Sequence, residues 1–221
     1  MLLTRRALAE LVGTALLVTA VVGSGIAAQR LTPDPGVRLL VNAFATAGAL
    51  VAIILALGPV SGAHLNPVVS LADAAFGGLP FGDLAAYVPA QVGGACAGAM
   101  LANLMYGRSA VSLSHHTRTG GGLLLAEVVA TAGLVLVVFG VTRSRGPAAF
   151  AVAAYIAGAY FFTSSTSFAN PAATVGRIFS DTFAGIAPRS VVGFVAAQVA
   201  GGGVGAVLVR LFHHPPAEEP A

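Results

Sequence analysis

The 221-residue chain has no lysine, and only 9% of its residues are charged, against about 25% in an ordinary soluble domain. With 57% of residues hydrophobic, that scarcity excludes a soluble enzyme and leaves a helical protein that crosses a membrane several times. A net charge of +3 on so few ionisable groups gives no sign of a nucleic-acid surface. Cysteine is almost absent too. Cys96 stands alone in an apolar run, which excludes a disulfide framework and leaves small-residue packing as its role. No nucleophile–base pair, phosphate loop or HExxH-type zinc motif is present. His115 and His116 lack a nearby cysteine or acid. The sequence therefore asks for no enzyme, no cofactor and no metal.

What it has is apolar length. Runs long enough to span a bilayer lie at roughly 7–28, 37–58, 82–106, 122–142, 147–165 and 187–212. The first of these, behind Arg5-Arg6, has the look of a secretory signal. Its opening recurs later in the chain, so it reads as a retained span. A turn cluster, Thr32-Pro33-Asp34-Pro35-Gly36, separates the first two runs, and a polar stretch from Tyr106 to Gly122 divides the chain in half. The segment 213–221 reads as a disordered tail.

Two shorter pieces interrupt the spans and are near copies: Ser61-Gly62-Ala63-His64-Leu65-Asn66-Pro67-Val68 and Ser165-Thr166-Ser167-Phe168-Ala169-Asn170-Pro171-Ala172. Asparagine is a favoured helix N-cap, and proline suits the first helical position. About ten residues follow each cap before Gly77-Gly78 and Asp181 respectively, roughly 15 Å of helix or half of a ~30 Å hydrocarbon core. A half-length helix that starts at a polar cap inside a membrane implies a pathway beside it.

The halves repeat. Ala9-Glu10-Leu11-Val12 pairs with Ala126-Glu127-Val128-Val129, the Asn-Pro cores pair, and Ala90-Gln91-Val92 pairs with Ala197-Gln198-Val199, all in the same order. The expected domain is a single transmembrane unit over 1–221 with repeats at about 5–106 and 122–212. Each half holds three spans, an odd number, so the second enters from the opposite face. Inverted repeats of this kind place discontinuous helices at the midplane around a site. Two half-helices meeting N-terminus to N-terminus make a centre that is polar yet repels cations, suited to neutral hydrogen-bonding solutes.

These residues resemble the aquaporins of the major intrinsic protein family, over about residues 5–212. The resemblance implies an all-α membrane protein with six transmembrane helices and two re-entrant half-helices in two inverted repeats. It assigns the paired motifs to Asn66, Pro67, Val68 and Asn170, Pro171, Ala172, with valine for the usual alanine in the first. That valine is expected to place a larger apolar side chain near the pore centre. The asparagine amides would donate to the solute, and carbonyls of Gly62, Ala63, His64, Leu65, Thr166, Ser167 and Phe168 would accept from it. Glu10 and Glu127 would accept hydrogen bonds from the re-entrant loops. A homotetramer with one pore per subunit is implied, in a bacterial inner membrane with cytoplasmic termini. The arginines are too evenly divided between the two sides to orient the chain. The small-xxx-small pairs Gly94/Gly98 and Gly201/Gly205 suit helix contact between or within subunits.

The informative departure is in the selectivity filter. Spacing from the asparagines puts its positions at Thr46, Gly158, Ser167 and Ala173, the last where orthodox members carry arginine. Four small, uncharged residues imply a wide filter, closest to bacterial members that lack this arginine. The expected solutes are trihydroxy metalloids (arsenite, antimonite), glycerol and some water. An orthodox water channel is the alternative. From another class, a proton-coupled transporter would use Glu10 and Glu127 as intramembrane acids. A purely structural membrane protein would not need two capped half-helices. Arg177, one turn beyond Ala173, either reaches back as a displaced filter charge in the vestibule or, the favoured reading, snorkels to the headgroups. Asp73, its counterpart, reads as exposed at its half-helix end. His64 is read as structural or pore-lining in preference to a protonation gate.

Overall fold

The computed structural model describes residues 2–144 and 146–213, so most of the expected tail lies outside the described residues. In chain order the helices are α1 (Leu3–Leu31), α2 (Pro35–Ser61), α3 (Pro67–Ala75), α4 (Leu84–Met105), α5 (Gly121–Arg143), α6 (Ala148–Phe162), α7 (Pro171–Gly176) and α8 (Pro188–Phe212). Among the described residues six of these are rods, five of them long and apolar enough to cross a membrane, and α3 and α7 are the short pieces. The sixth rod, α6, has 15 residues, about 22 Å. It stops short of the expected 165 because Thr163 turns extended (φ −108°, ψ 136°) and bonds its hydroxyl back to the Ala159 carbonyl at 2.6 Å. The chain then runs inward without helix to Asn170.

Local chemistry sets the ends. Asp34 caps α2, its Oδ1 accepting from the Val37 amide at 2.8 Å, and Pro35 takes the first helical position. The same helix stops at Gly62, whose φ of 89° suits a residue without Cβ. α7 is shorter than α3 because the chain tightens into a 3-10 turn at Arg177–Phe179.

Packing follows the duplication. α1 lies on α4 and α5 on α8. At Gly94 and Gly98 of α4 a Cβ would overlap the carbonyls of Leu11 and Ala15. At Gly201 and Gly205 of α8 it would overlap those of Val128 and Ala132. The small-xxx-small pairs therefore serve contacts within one chain, where close backbone approach supplies the dispersion that water exclusion cannot supply in lipid. Large apolar side chains such as Phe44, Leu55 and Val192 face outward, as an integral membrane protein requires.

Candidate functional site

The two loops that lead into α3 and α7 hold backbone that no ordinary loop would adopt. Ala63, Leu65, Thr166, Ser167 and Ala169 all have φ between 46° and 63°. For residues with a Cβ, each such position costs about 1–2 kcal/mol. Two fully buried glutamates offset that cost. Glu10 on α1 accepts from Ser61 Oγ (2.6 Å), the His64 and Leu65 amides (3.0 and 2.6 Å) and Gln91 Nε2 (2.8 Å). Glu127 on α5 accepts from Ser165 Oγ (2.6 Å), the Phe168 and Ala169 amides (2.9 and 2.8 Å) and Gln198 Nε2 (2.6 Å). The two sets match atom for atom. The glutamines continue outward to the half-helices: Gln91 donates to Ser70 Oγ and Gln198 to Thr174 Oγ1, both at 2.9 Å. Neither glutamate lines the central cavity, and both oxygens of each are engaged, which is a poor arrangement for carrying protons.

At the centre the loops are tied across the repeat. Asn66 Nδ2 donates to the Ala169 carbonyl at 2.7 Å, and Asn170 Nδ2 donates to the Leu65 carbonyl at 2.8 Å. Each side-chain oxygen caps its own half-helix, Asn66 through the Val68 amide and Asn170 through those of Ala172 and Ala173. An amide nitrogen carries two hydrogens. One is spent on the opposite loop, and one remains for the cavity both asparagines line.

That cavity has a volume of about 140 Å³. Apolar side chains of α1, α2, α5 and α6 form most of its wall, among them Leu17, Leu50, Leu134 and Val152. Gly62, Ala63, His64, Leu65, Ser167, Phe168 and Ala169 supply a strip of loop, but Thr166 does not reach it. Of the expected filter positions, Thr46, Ser167 and Ala173 line the cavity and Gly158 does not. The residues of α6 that face it are Ala148, Val152, Ile156 and Tyr160, at helical spacing. Gly158 is two residues from either of the last pair, about 200° around the helix. The Tyr160 hydroxyl stands 3.1 Å from Thr46 Oγ1 instead.

Two further expectations are corrected. Val68 does not place its side chain at the pore centre: it is buried against α8, where Gly202 leaves room for its Cγ1. Arg177 does not snorkel. It is 3% exposed and lines the cavity, its Nε donating to the Ala184 carbonyl and its guanidinium lying 3.3 Å from the Phe168 ring centroid. The wall is therefore not uncharged. Arg118, from the stretch before α5, stands over the same ring at 5.0 Å and holds the Phe183 and Gly185 carbonyls. Together the two arginines take three consecutive carbonyls of the strap between α7 and α8.

Toward the other end, Asp73 is only part-exposed and sits 3.4 Å from His64 Nε2, while His64 Nδ1 meets Ser70 Oγ at 3.0 Å. His115 also has an acidic partner that sequence separation hid. Asp181 accepts from its amide at 3.0 Å, and its Oδ2 lies 3.1 Å from Nδ1. These bonds from His115 hold the Asp181 carboxyl below the usual carboxylate range. A depressed folded-state value contributes stability above the unfolded value and loses it as pH falls through the folded one. The tie between the two loops should thus hold at neutral pH and loosen below about pH 4. Protection of the His115 amide against hydrogen exchange should fall there, and Asp181→Asn should abolish the pH step. Among the described residues no cluster of three or more metal-ligating side chains occurs.

Comparison with known proteins agrees with this geometry. A family profile described as Major intrinsic protein matches residues 1–156. The chain is 48% identical over 214 residues to the aquaglyceroporin AqpS of Rhizobium meliloti (strain 1021), covering 96% of this chain and 92% of that protein. It is 34% identical over 194 residues to aquaporin Z of Brucella melitensis, covering 80% and 85%. The aquaglyceroporin from Plasmodium falciparum has the same fold, with a TM-score of 0.74 over 96% of this chain and 95% of that one, at 20% identity.

Proposed function

Because this chain belongs to the major intrinsic protein family, we propose that it is a passive membrane channel for small neutral solutes, with glycerol and water among them and no chemical step. The observation that carries the reading is the crossed pair of asparagines. Each caps a half-helix, each lines the cavity, and each keeps one amide hydrogen unspent. A solute passing between apolar walls exchanges water for those donors and for the loop carbonyls, while a cation meets two capped helix starts and Arg177. The aquaglyceroporin name of the relative that is 48% identical favours polyols as cargo.

The finer reading concerns trihydroxy metalloids. Arsenite and antimonite are neutral near pH 7 and polyol-like in shape. Ala173 keeps the wall small where an arginine would otherwise stand, and Thr46 and Ser167 line the same space. Passage needs no thiol, and Cys96 lies on α4 away from the cavity wall. A homotetramer in a bacterial inner membrane with cytoplasmic termini completes the proposal. Proteoliposomes exposed to outward gradients of water, glycerol and arsenite test it. Glycerol and arsenite should both equilibrate well above the rate of empty vesicles. Water flow alone would return the chain to the orthodox water-channel reading.

A further inference from the structure

We propose that Tyr160 and Arg177, neither at a filter position given by the spacing from the asparagines, select the solute in this chain, acting with Thr46 and Ser167 on its oxygen atoms. The inference rests on the channel reading and specifies its selective site. Four observations carry it. First, α6 turns Tyr160 to the cavity and Gly158 away. A Cβ added at Gly158 would meet nothing nearer than the Phe162 ring at 3.8 Å. Second, Tyr160 and Thr46 are each 3% exposed and bonded to one another at 3.1 Å, bridging α6 to α2. One hydroxyl hydrogen makes that bond, so the other hydroxyl hydrogen is left to donate.

Third, the guanidinium of Arg177 is fixed but not neutralised. The Ala184 carbonyl takes its Nε, Phe168 covers one face, and among the described residues no carboxylate lies within ion-pair distance. Its Nη groups make no hydrogen bond among the described residues, in a residue 97% buried that lines the cavity. Fourth, Ser167 lines the same cavity, and its buried Oγ has no hydrogen-bond partner. An orphan hydroxyl in that setting is costly unless something passing through meets it.

The donor set dictates the ligand. A guanidinium only donates, whereas the three hydroxyls both donate and accept. A solute carrying several hydroxyl groups satisfies both kinds at once. One with a single carbonyl and amide hydrogens, such as urea, satisfies the arginine but matches the hydroxyls less well. Ala173 leaves the turn between Asn170 and Arg177 without a bulky side chain, so the charge acts one turn further along than the asparagine spacing would place it.

The test compares Tyr160→Phe, Arg177→Gln and Gly158→Ala in proteoliposomes, reading glycerol and urea permeability by light scattering and proton leak by an entrapped pH dye. Monodisperse elution of each variant establishes that it is folded. Arg177→Lys, which keeps the charge but not the planar fork, serves as a second variant at that position. Loss of one hydrogen bond corresponds to about a fivefold change, so Tyr160→Phe should lower the glycerol-to-urea ratio by about that factor, whereas Arg177→Gln, whose donors both solutes meet, should slow both by about that factor. Arg177→Gln should also raise the proton leak, Arg177→Lys should not, and Gly158→Ala should leave the ratio within about twofold. A ratio unchanged in Tyr160→Phe or moved by Gly158→Ala, or glycerol and urea rates unchanged in Arg177→Gln, overturns the assignment and leaves the channel reading intact. Wild-type vesicles no faster than empty ones for both solutes overturn the channel reading and this inference with it.

Discussion

Glu127→Ala should yield no stably folded protein. Among the described residues the carboxylate is the only acceptor bonded by Ser165 Oγ, the Phe168 and Ala169 amides and Gln198 Nε2, apart from the Thr174 hydroxyl that Gln198 also meets. The site is fully buried, so bulk water does not reach it. A buried donor left without a partner costs about 1–3 kcal/mol, so the four together lose roughly 4–12 kcal/mol. Folded domains hold about 5–15 kcal/mol in total. The loss also releases the strain held at Thr166, Ser167 and Ala169. Glu10→Ala should do the same through Ser61, His64, Leu65 and Gln91. Glutamine keeps the shape but turns one acceptor into a donor facing other donors. Glu127→Gln should therefore be recovered at reduced yield and melt earlier. Thermal unfolding in detergent, followed by the loss of monodisperse elution, reads all three. Normal melting of Glu127→Ala would mean that the loops hold their conformation without it.

Asn66→Asp and Asn170→Asp separate folding from permeation. Aspartate caps a helix as well as asparagine does, so the bonds to the Val68 and Ala172 amides survive. The donor is lost. An oxygen would then face the Ala169 or Leu65 carbonyl, and none would remain to donate to a solute. A missing hydrogen bond of this kind is worth about 1–3 kcal/mol, and 1.4 kcal/mol is tenfold in rate or equilibrium, so glycerol flux should fall about tenfold or more in each variant. Cation leak should rise, because a carboxylate replaces a neutral amide at the centre. Stopped-flow light scattering at matched protein density measures the first and a potential-sensitive dye the second. Undiminished glycerol flux in both variants would place the pathway elsewhere.

How much of this was legible in the sequence depends on whether a feature is set locally. The Asn-Pro caps, the six apolar runs and the recurrence of Glu10 at Glu127 are local patterns, and a helix start or an apolar length can be read from a few residues. Rotation about a helix axis cannot. Counting back from Asn170 to α6 passes through Thr166, Ser167 and Ala169, all at positive φ, and such backbone breaks the link between residue count and direction. That is why Gly158 was expected at the wall and Tyr160 stands there. Long-range partners were equally hidden: Gly202 for Val68, Asp181 for His115, and the Ala184 carbonyl with the Phe168 ring for Arg177. The snorkelling expected of Arg177 failed because a buried carbonyl and an aromatic face together offered the guanidinium an alternative to the headgroups.

The central claim is that solutes cross this chain passively along the asparagine-lined cavity, with Glu10 and Glu127 as fixed scaffolding. Glycerol flux into proteoliposomes, measured with and without an imposed proton gradient across a wide range of glycerol concentration, tests that claim most directly. The account predicts a rate proportional to concentration and indifferent to the proton gradient in either direction. Saturation together with acceleration by the gradient would contradict it and make the buried glutamates proton carriers.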